Sequence, residues 1–354
     1  MNEENKSKVL TWLTRRKRLL IGIATILLLI SMIFFVDFAS LIEKIVTIGI
    51  LGLVIFIISY SLAFILRAYK LKLIFKGLDK DVAYSTCYFS IGAAFVINDL
   101  TPAKIGDFAK IFIIKDRENI RLSESAAAIA IERVLDLILL FFISCFALIY
   151  LYLTSYGESS ETLILGQTIQ FYIIIGAVFI IVIIILFLLL LYKTELILKI
   201  IKKLSPKLAH YLGRFIINFK DGMKNYKDHK KELVYIILLG FPTWIIDAAL
   251  IAIIVYPLGY EFNIFLLILA KILTFFSKTF PITPGGWGIS ENVGALFISF
   301  LYAPVSIPFE EFYAVILSIF IIDHLFRSAY LFIFGGYSIF HYNISLKEIE
   351  RIKD

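Results

Sequence analysis

The sequence predicts an all-α polytopic integral membrane protein, with about six full spans and two re-entrant hairpins in two inverted repeats, or eight or so membrane helices. Three observations carry that prediction. Of the 354 residues, 60% are apolar and only 18% are charged, against about 45–50% and about 25% in soluble domains. Mean hydropathy is +0.90, so the polar residues cannot cover a water-exposed surface. The apolar residues fall in long runs, and the basic residues fall between those runs on one side.

Taken in order, residues 19–36 form an apolar run after Arg15-Arg16-Lys17-Arg18. It lacks a small-x-small cleavage site at its end and reads as an uncleaved anchor helix. Runs 45–66, 125–153, 168–192, 233–257 and 312–340 are each long enough to cross ~30 Å of hydrocarbon. Two runs are different. Residues 84–97 lead into Asn98-Asp99-Leu100-Thr101-Pro102-Ala103-Lys104-Ile105-Gly106-Asp107. Residues 264–280 carry Lys271 and Lys278 and lead into Pro281-Ile282-Thr283-Pro284-Gly285-Gly286-Trp287-Gly288-Ile289-Ser290-Glu291, followed by a short run to 303. Broken helices at membrane depth survive only where protein or a cavity covers them, so 84–114 and 264–303 read as re-entrant hairpins.

Charge supports this layout. With the amino terminus inside, the inner segments hold thirty of the 35 basic residues and the outer segments one, Lys44. This is the positive-inside pattern, with both termini cytoplasmic and the protein in the cell membrane. Arg133, Lys271, Lys278 and Arg327 are then intramembrane. The formal charge of +7 is explained by these loops, and no nucleic-acid partner is expected. Segment 193–232, with eleven basic and four acidic residues, reads as two amphipathic helices either side of Pro206, on the inner leaflet or as an ordinary basic loop.

The chain is a single transmembrane domain whose halves repeat, about 15–155 and about 165–340. Each has two spans, a hairpin and a span. The breaks share Thr101-Pro102-x-x-x-Gly106 and Thr283-Pro284-x-x-x-Gly288, each followed by an acid, Asp107 or Glu291. Three crossings per half invert the second copy, a transporter arrangement.

Charges within a bilayer are costly and persist when paired or facing a cavity. Glu132, Arg133 and Asp136 lie about one turn apart, as do Asp323 and Arg327; Asp247 is a further acid at or near membrane depth. Internal ion pairs are one reading of them. Lys271 and Lys278 have no sequence-near partner, which favours a ligand role; with Arg133 and Arg327 they suit a phosphate-bearing group. Glycines of the second break allow backbone N–H groups to approach such a ligand, or serve as a plain hinge. Cys87 and Cys145 read as packing residues, and the four histidines lack metal-ligand spacing. No nucleophile–base motif or nucleotide loop is present, so neither an enzyme nor a cofactor is expected.

Asn98-x-x-x-Pro102-Ala103-Lys104-x-Gly106-Asp107-x-x-Lys110, Glu132-Arg133-x-x-Asp136, Pro281-x-Thr283-Pro284-Gly285-Gly286-x-Gly288-x-x-Glu291 and Arg327 together resemble one family. It is the membrane region of phosphatidylglycerol lysyltransferase and its stand-alone, flippase-like relatives. Lys104 and Lys110 stand where the family more often has Arg, Asp107 where it often has Glu, and Trp287 where an aliphatic residue is common. The resemblance implies a region that moves an aminoacylated lipid between leaflets, while a separate soluble domain performs aminoacyl transfer. The chain ends at Asp354, about fourteen residues past the last predicted span, so lysylation by this chain alone is not implied.

The expected function is translocation of a phospholipid or lipid-linked intermediate, with anionic or phosphate-bearing membrane lipids as partners. Lys104, Arg133, Lys271, Lys278 and Arg327 are the expected substrate contacts. Asn98, Pro102, Gly106, Asp107, Lys110, Glu132, Asp136, Pro281, Thr283, Pro284, Gly285, Gly286, Gly288, Glu291 and Asp323 shape or gate the breaks. The rival reading is a scaffold subunit for a separately encoded lipid-modifying enzyme; a third is an intramembrane lipid-modifying enzyme.

Overall fold

A computed structural model describes residues 38–101, 105–155, 193–278, 283–302 and 306–342, together with the single positions 174, 178, 181 and 185. The expected spans 19–36 and 168–192 lie outside the described residues, apart from those four helical positions.

Ten helices carry the described chain: α1 (Phe38–Lys76), α2 (Tyr84–Leu100), α3 (Ile105–Glu118), α4 (Leu122–Ser155), α5 (Thr194–Leu204), α6 (Pro206–Asn225), α7 (Lys230–Ala249), α8 (Ile264–Ser277), α9 (Ile289–Tyr302) and α10 (Phe309–His341). A short helical turn, Ala252–Val255, and a 3₁₀ turn, Tyr256–Leu258, extend α7. Four helices among the described residues are long and apolar enough to cross a membrane: Ala39–Lys76, Leu122–Thr154, Lys230–Leu258 and Phe309–His341. They contain the predicted runs 45–66, 125–153, 233–257 and 312–340. The protein is an all-α polytopic membrane protein.

The first span differs from its sequence expectation. The run 45–66 stops at Arg67, yet α1 continues to Lys76. Arg67 and Lys70 are 4% and 1% exposed; both are paired in the interior, and pairing is what makes a charge tolerable there. Gly49, at φ 67°, breaks the helix near its start, a conformation open to glycine because it has no Cβ.

Both short runs form helix–break–helix units. Thr101 ends α2 in extended conformation, φ −126° and ψ 146°. Thr283 takes the same conformation, φ −127° and ψ 149°. Each precedes a proline, whose ring disfavours helical geometry in the residue before it. The second break then needs three positive-φ glycines, Gly285, Gly286 and Gly288.

Contacts at the helix ends show where each unit enters and leaves. Tyr342, at the end of α10, donates its hydroxyl to Thr86 of α2 at 3.5 Å and lies under the Arg117 guanidinium of α3 at 4.6 Å. The start of α2 and the end of α3 therefore sit at one end of the protein. The same end gathers the loops before α2, α4 and α7, through His229–Asp79 (2.8 Å), Lys76–Glu232 (3.1 Å) and Lys80–Glu124 (3.1 Å). At the opposite end, Phe265 of α8 packs on Phe146 and Tyr150 of α4, and Phe262 packs on Tyr302 of α9. Each unit returns to the end it came from, and the two come from opposite ends.

The core is shared by α1, α2, α4, α7, α8, α9 and α10. Phe56, Tyr60 and Phe64 of α1 interleave with Phe95 of α2 and with Phe326, Tyr330 and Phe334 of α10. Small residues bring helices close: a Cβ on Gly335 would lie 2.6 Å from the Gly92 carbonyl oxygen, the kind of approach that drives helix association in lipid.

The basic connection forms two helices, broken at Ser205 before Pro206. Their apolar residues are only partly on a free face. Ile216 and Tyr226 are buried, Gly222 is seated against Ile131 of α4, and the Tyr226 hydroxyl donates to the Ile74 carbonyl at 2.9 Å. Burial, assisted by nearby Glu232, pushes the Tyr226 phenol above its ordinary range. Leu196, Ile200 and Ile217 remain exposed.

Candidate functional site

Three groups of buried polar side chains lie among the helices. The first joins α1, α3 and α4. Glu132, Arg133 and Asp136 face α3 and α1 because residues three and four apart share a helix face. Lys110 donates to Glu132 at 2.5 Å, with the lysine side chain fully buried. Arg133 donates to Asp107 at 2.7 Å and lies 3.9 Å from Asp136. Lys70 pairs with Asp136, which also accepts from the Trp244 indole at 2.9 Å. Arg133 is the most open cation here, its side chain 28% exposed, and its Nε has no hydrogen-bond partner.

The second group is a chain of alternating charges: Arg67 of α1, Asp247 of α7, Arg327 and Asp323 of α10, and Lys271 of α8. Arg327 uses Nε on Asp323 at 2.9 Å and two further nitrogens on the carboxylate and carbonyl of Asp247. Arg67 is also enclosed by aromatic faces, 5.2 Å from Phe95 and 5.3 Å from Trp244. Such an array is weak evidence for stability, since desolvation offsets its attraction, but removing one partner strands a buried charge.

At the third group the two breaks meet. Asp99, at the end of α2, approaches Gly285 so closely that a Cβ there would lie 2.7 Å from the Asp99 carbonyl oxygen. His324 of α10 joins the parts: its Nδ1 contacts Glu291, and its Nε2 lies 3.1 Å from Lys278 Nζ and 3.4 Å from Asp99 Oδ1. Trp287 stacks on the imidazole, ring centroids 3.9 Å apart. Glu291 accepts from the Gly288 backbone N–H at 2.8 Å, the backward half of a capping box that restarts the helix. On the first break Asn98 has the related task, accepting from the Gly106 N–H at 2.8 Å. Gly106 is required there, because a Cβ would lie 1.9 Å from the Ala94 carbonyl oxygen.

Pro102, Lys104 and Pro281 lie outside the described residues. Gly106, Asp107, Lys110, Glu132, Arg133 and Asp136 gather in or beside the first group. Asp323, Lys271 and Arg327 gather in the second, and Thr283, Pro284, Gly285, Gly286, Gly288, Glu291 and Lys278 at the junction. Lys271 and Lys278 do have partners, contributed from far along the chain: Asp323 for Lys271 and His324 for Lys278. Lys271 and Arg327 are 4% and 5% exposed, each paired with carboxylates. Lys278 and Arg133 stay more open.

Arg67, Lys70, Asp99, Trp244 and His324 join these groups without belonging to any motif singled out in the sequence. Arg67 and Lys70 follow the end of the apolar run 45–66, and their one-turn spacing is the signal the sequence offers. His324 follows Asp323 directly in an apolar run, which marks a second polar group at membrane depth. For Asp99 and Trp244 the sequence offers no comparable signal. Among the described residues no group of histidine, cysteine and carboxylates has the makings of a metal centre.

The chain is 23% identical over 303 residues to the UPF0104 membrane protein MJ1595 of Methanocaldococcus jannaschii, covering 80% of this chain and 87% of that protein. It is 25% identical over 195 residues to the UPF0104 membrane protein MJ1078 of the same organism, covering 55% and 75%. No solved structure matches. Residues 19–339 match the family described as the lysylphosphatidylglycerol synthase TM region, and the chain belongs to that family.

Proposed function

We propose that this protein moves a phosphate-bearing lipid, or a lipid-linked intermediate, from one leaflet of the cell membrane to the other without making or breaking a covalent bond. The observation that carries this reading is the meeting of the two breaks: units that enter from opposite ends touch at Asp99 and Gly285, with cationic side chains beside them. Broken helices meeting within a membrane are a recurrent way to place a polar site there. Arg133 and Lys278, with Lys104, are the proposed headgroup contacts; Asp107 and His324 hold the first two in place. Lys271 and Arg327 keep the surrounding helices in register. Acyl chains stay in lipid while the headgroup passes between the units. The end bearing α5 and α6 faces the cytoplasm, as its basic residues favour.

Reconstitution into vesicles tests this. Labelled anionic, zwitterionic and glycolipid probes are expected to exchange between leaflets faster than in empty vesicles, for at least one class. No acceleration with any class overturns the reading. Stable co-purification of a separate transferase would then favour the scaffold alternative.

A further inference from the structure

The basic connection is the largest feature that the translocation site does not use. Residues 193–225 carry eight Lys and Arg and only two acids. One of those acids, Asp221, is taken by Lys224 of its own helix at 2.7 Å. Lys199, Lys202, Lys203 and Arg214 are exposed, and among the described residues none of the four forms an ion pair. The sequence allows an ordinary basic loop in water or helices lying on lipid.

Its attachments set its level. The apolar run 168–192 ends one residue before Lys193, and α5 begins at Thr194. Lys220 of α6 donates to the Thr194 hydroxyl at 2.9 Å, and a Cβ on Gly213 would lie 3.3 Å from Leu198. The two helices therefore run antiparallel. The far end of α6 rests on α4, through Gly222 and Ile131, and on the end of α1, through Tyr226 and the Ile74 carbonyl. Ile131 comes nine positions after Leu122, the first of the 34 residues of α4. At 1.5 Å per residue that helix is roughly 50 Å long and overhangs a ~30 Å hydrocarbon core by about 10 Å at each end. Ile131 thus falls close to the hydrocarbon boundary, and the paired helices are held at the level of the headgroups.

One face of α5 is built for that level. Leu196, Lys199, Ile200 and Lys203 are spaced three and four apart, so they share a face, and all four are exposed. Leu196 and Ile200 stand 59% and 54% exposed, with lysines beside them, while Leu198 takes the contact with α6. A lysine stem can lie along an apolar surface while its ammonium reaches the polar layer above. Aliphatic side chains interleaved with unpaired lysines therefore complement acyl chains bordered by phosphates. A soluble protein would have to bring both an apolar groove and acids to the same strip, whereas the bilayer surface already lies at its height. We propose that the Leu196–Lys203 face of α5 docks on anionic phospholipid in the leaflet at this end of the protein. Leu196 and Ile200 enter the border of the acyl chains, and Lys199 and Lys203 bind headgroup phosphates. The docking does not rest on the translocation proposed above.

An apolar nitroxide label in place of Leu196 reads the contact, in the full chain carrying Cys87→Ala, Cys145→Ala and Leu196→Cys. Collisions with oxygen report hydrocarbon, and collisions with a soluble nickel chelate report water. In nanodiscs of phosphatidylcholine with phosphatidylglycerol the label is expected to meet oxygen and be shielded from nickel. In discs of phosphatidylcholine alone the hydrated population is expected to grow. A label at Glu195→Cys, off this face, is expected to stay hydrated in both. Lys199→Gln and Lys203→Gln are each expected to lower the ratio of immersed to hydrated label about fivefold in the anionic discs, the weight of one basic residue at such a surface. Lys202→Gln, off the face, is expected to lower it less. Trypsin cleavage of the 225–231 loop is expected to be unchanged in all three, which shows α6 still seated on α4. A label hydrated in both kinds of disc, or immersed equally in both, overturns the proposal. Equal losses from all three lysines overturn the assignment of the face. Shielding that appears only when a soluble enzyme co-purifies assigns the strip to a protein partner instead.

Discussion

Asp247 accepts from two guanidinium groups that arrive from different helices, Arg67 on α1 and Arg327 on α10. Neutralising it strands Arg67 and leaves Arg327 to share Asp323 with Lys271. Asp247→Asn is expected to cost about 3–5 kcal/mol, read as a large fall in the unfolding midpoint in detergent by scanning fluorimetry. The exposed pair Lys224–Asp221, at 2.7 Å with both side chains more than half exposed, is the control: Lys224→Ala is expected to change stability by no more than about 0.5 kcal/mol. The contrast tests whether burial, rather than proximity, gives an ion pair its consequence. It also shows what the sequence could supply. That Asp323 and Arg327 meet follows from their spacing on one helix face. That Lys271 lies against Asp323, 52 residues away, or Arg67 against Asp247, 180 away, depends on which helices become neighbours, and the sequence alone carries little trace of that.

The re-entrant units were legible as elements because their signals are local: a short apolar run, a Thr-Pro step, then glycine. Proline forces extended backbone on the threonine before it, and the two breaks respond alike to that constraint. The tolerance of their glycines differs by position and is measurable. Gly106→Ala drives a methyl group into the Ala94 carbonyl and is expected to reduce yield and lower the unfolding midpoint, at a cost of about 1–3 kcal/mol or more. Gly336, within α10 with nothing near its Cβ direction, is expected to accept alanine without loss, gaining up to about 1 kcal/mol in helix propensity. The connecting helices are a case where local pattern stopped short. Their amphipathic character and the break before Pro206 were readable, but the docking of α6 on α4 was not, since it depends on Gly222 fitting against Ile131. Gly222→Leu is expected to lift α6 from α4 and expose the 225–231 loop, seen as faster trypsin cleavage there with α4 unaffected.

Across the whole molecule the opposed entry of the two units makes a prediction about sides. In a chain with Cys87 and Cys145 replaced by alanine, Glu261→Cys is expected to react with an impermeant maleimide on intact cells, and Asn225→Cys only after permeabilisation. Labelling of both from outside removes the proposed orientation. The two sites lie at opposite ends of α7 and its extension, so they report on one crossing. Whole-molecule arrangement also sets the order in which the protein can be completed. The α2 helix rests on α10 through Gly92 and Gly335, two residues separated by most of the chain. On the ribosome, the first unit is therefore synthesised long before its cover exists. Until residue 335 has emerged, the polar end of α2 must be sheltered by lipid headgroups, by the translocon or by a chaperone, because a broken helix has no stable place in bare hydrocarbon. The close glycine contact that lets the finished protein hold a half-length helix at mid-depth thus makes its biogenesis non-sequential: an early segment cannot mature until α10 arrives.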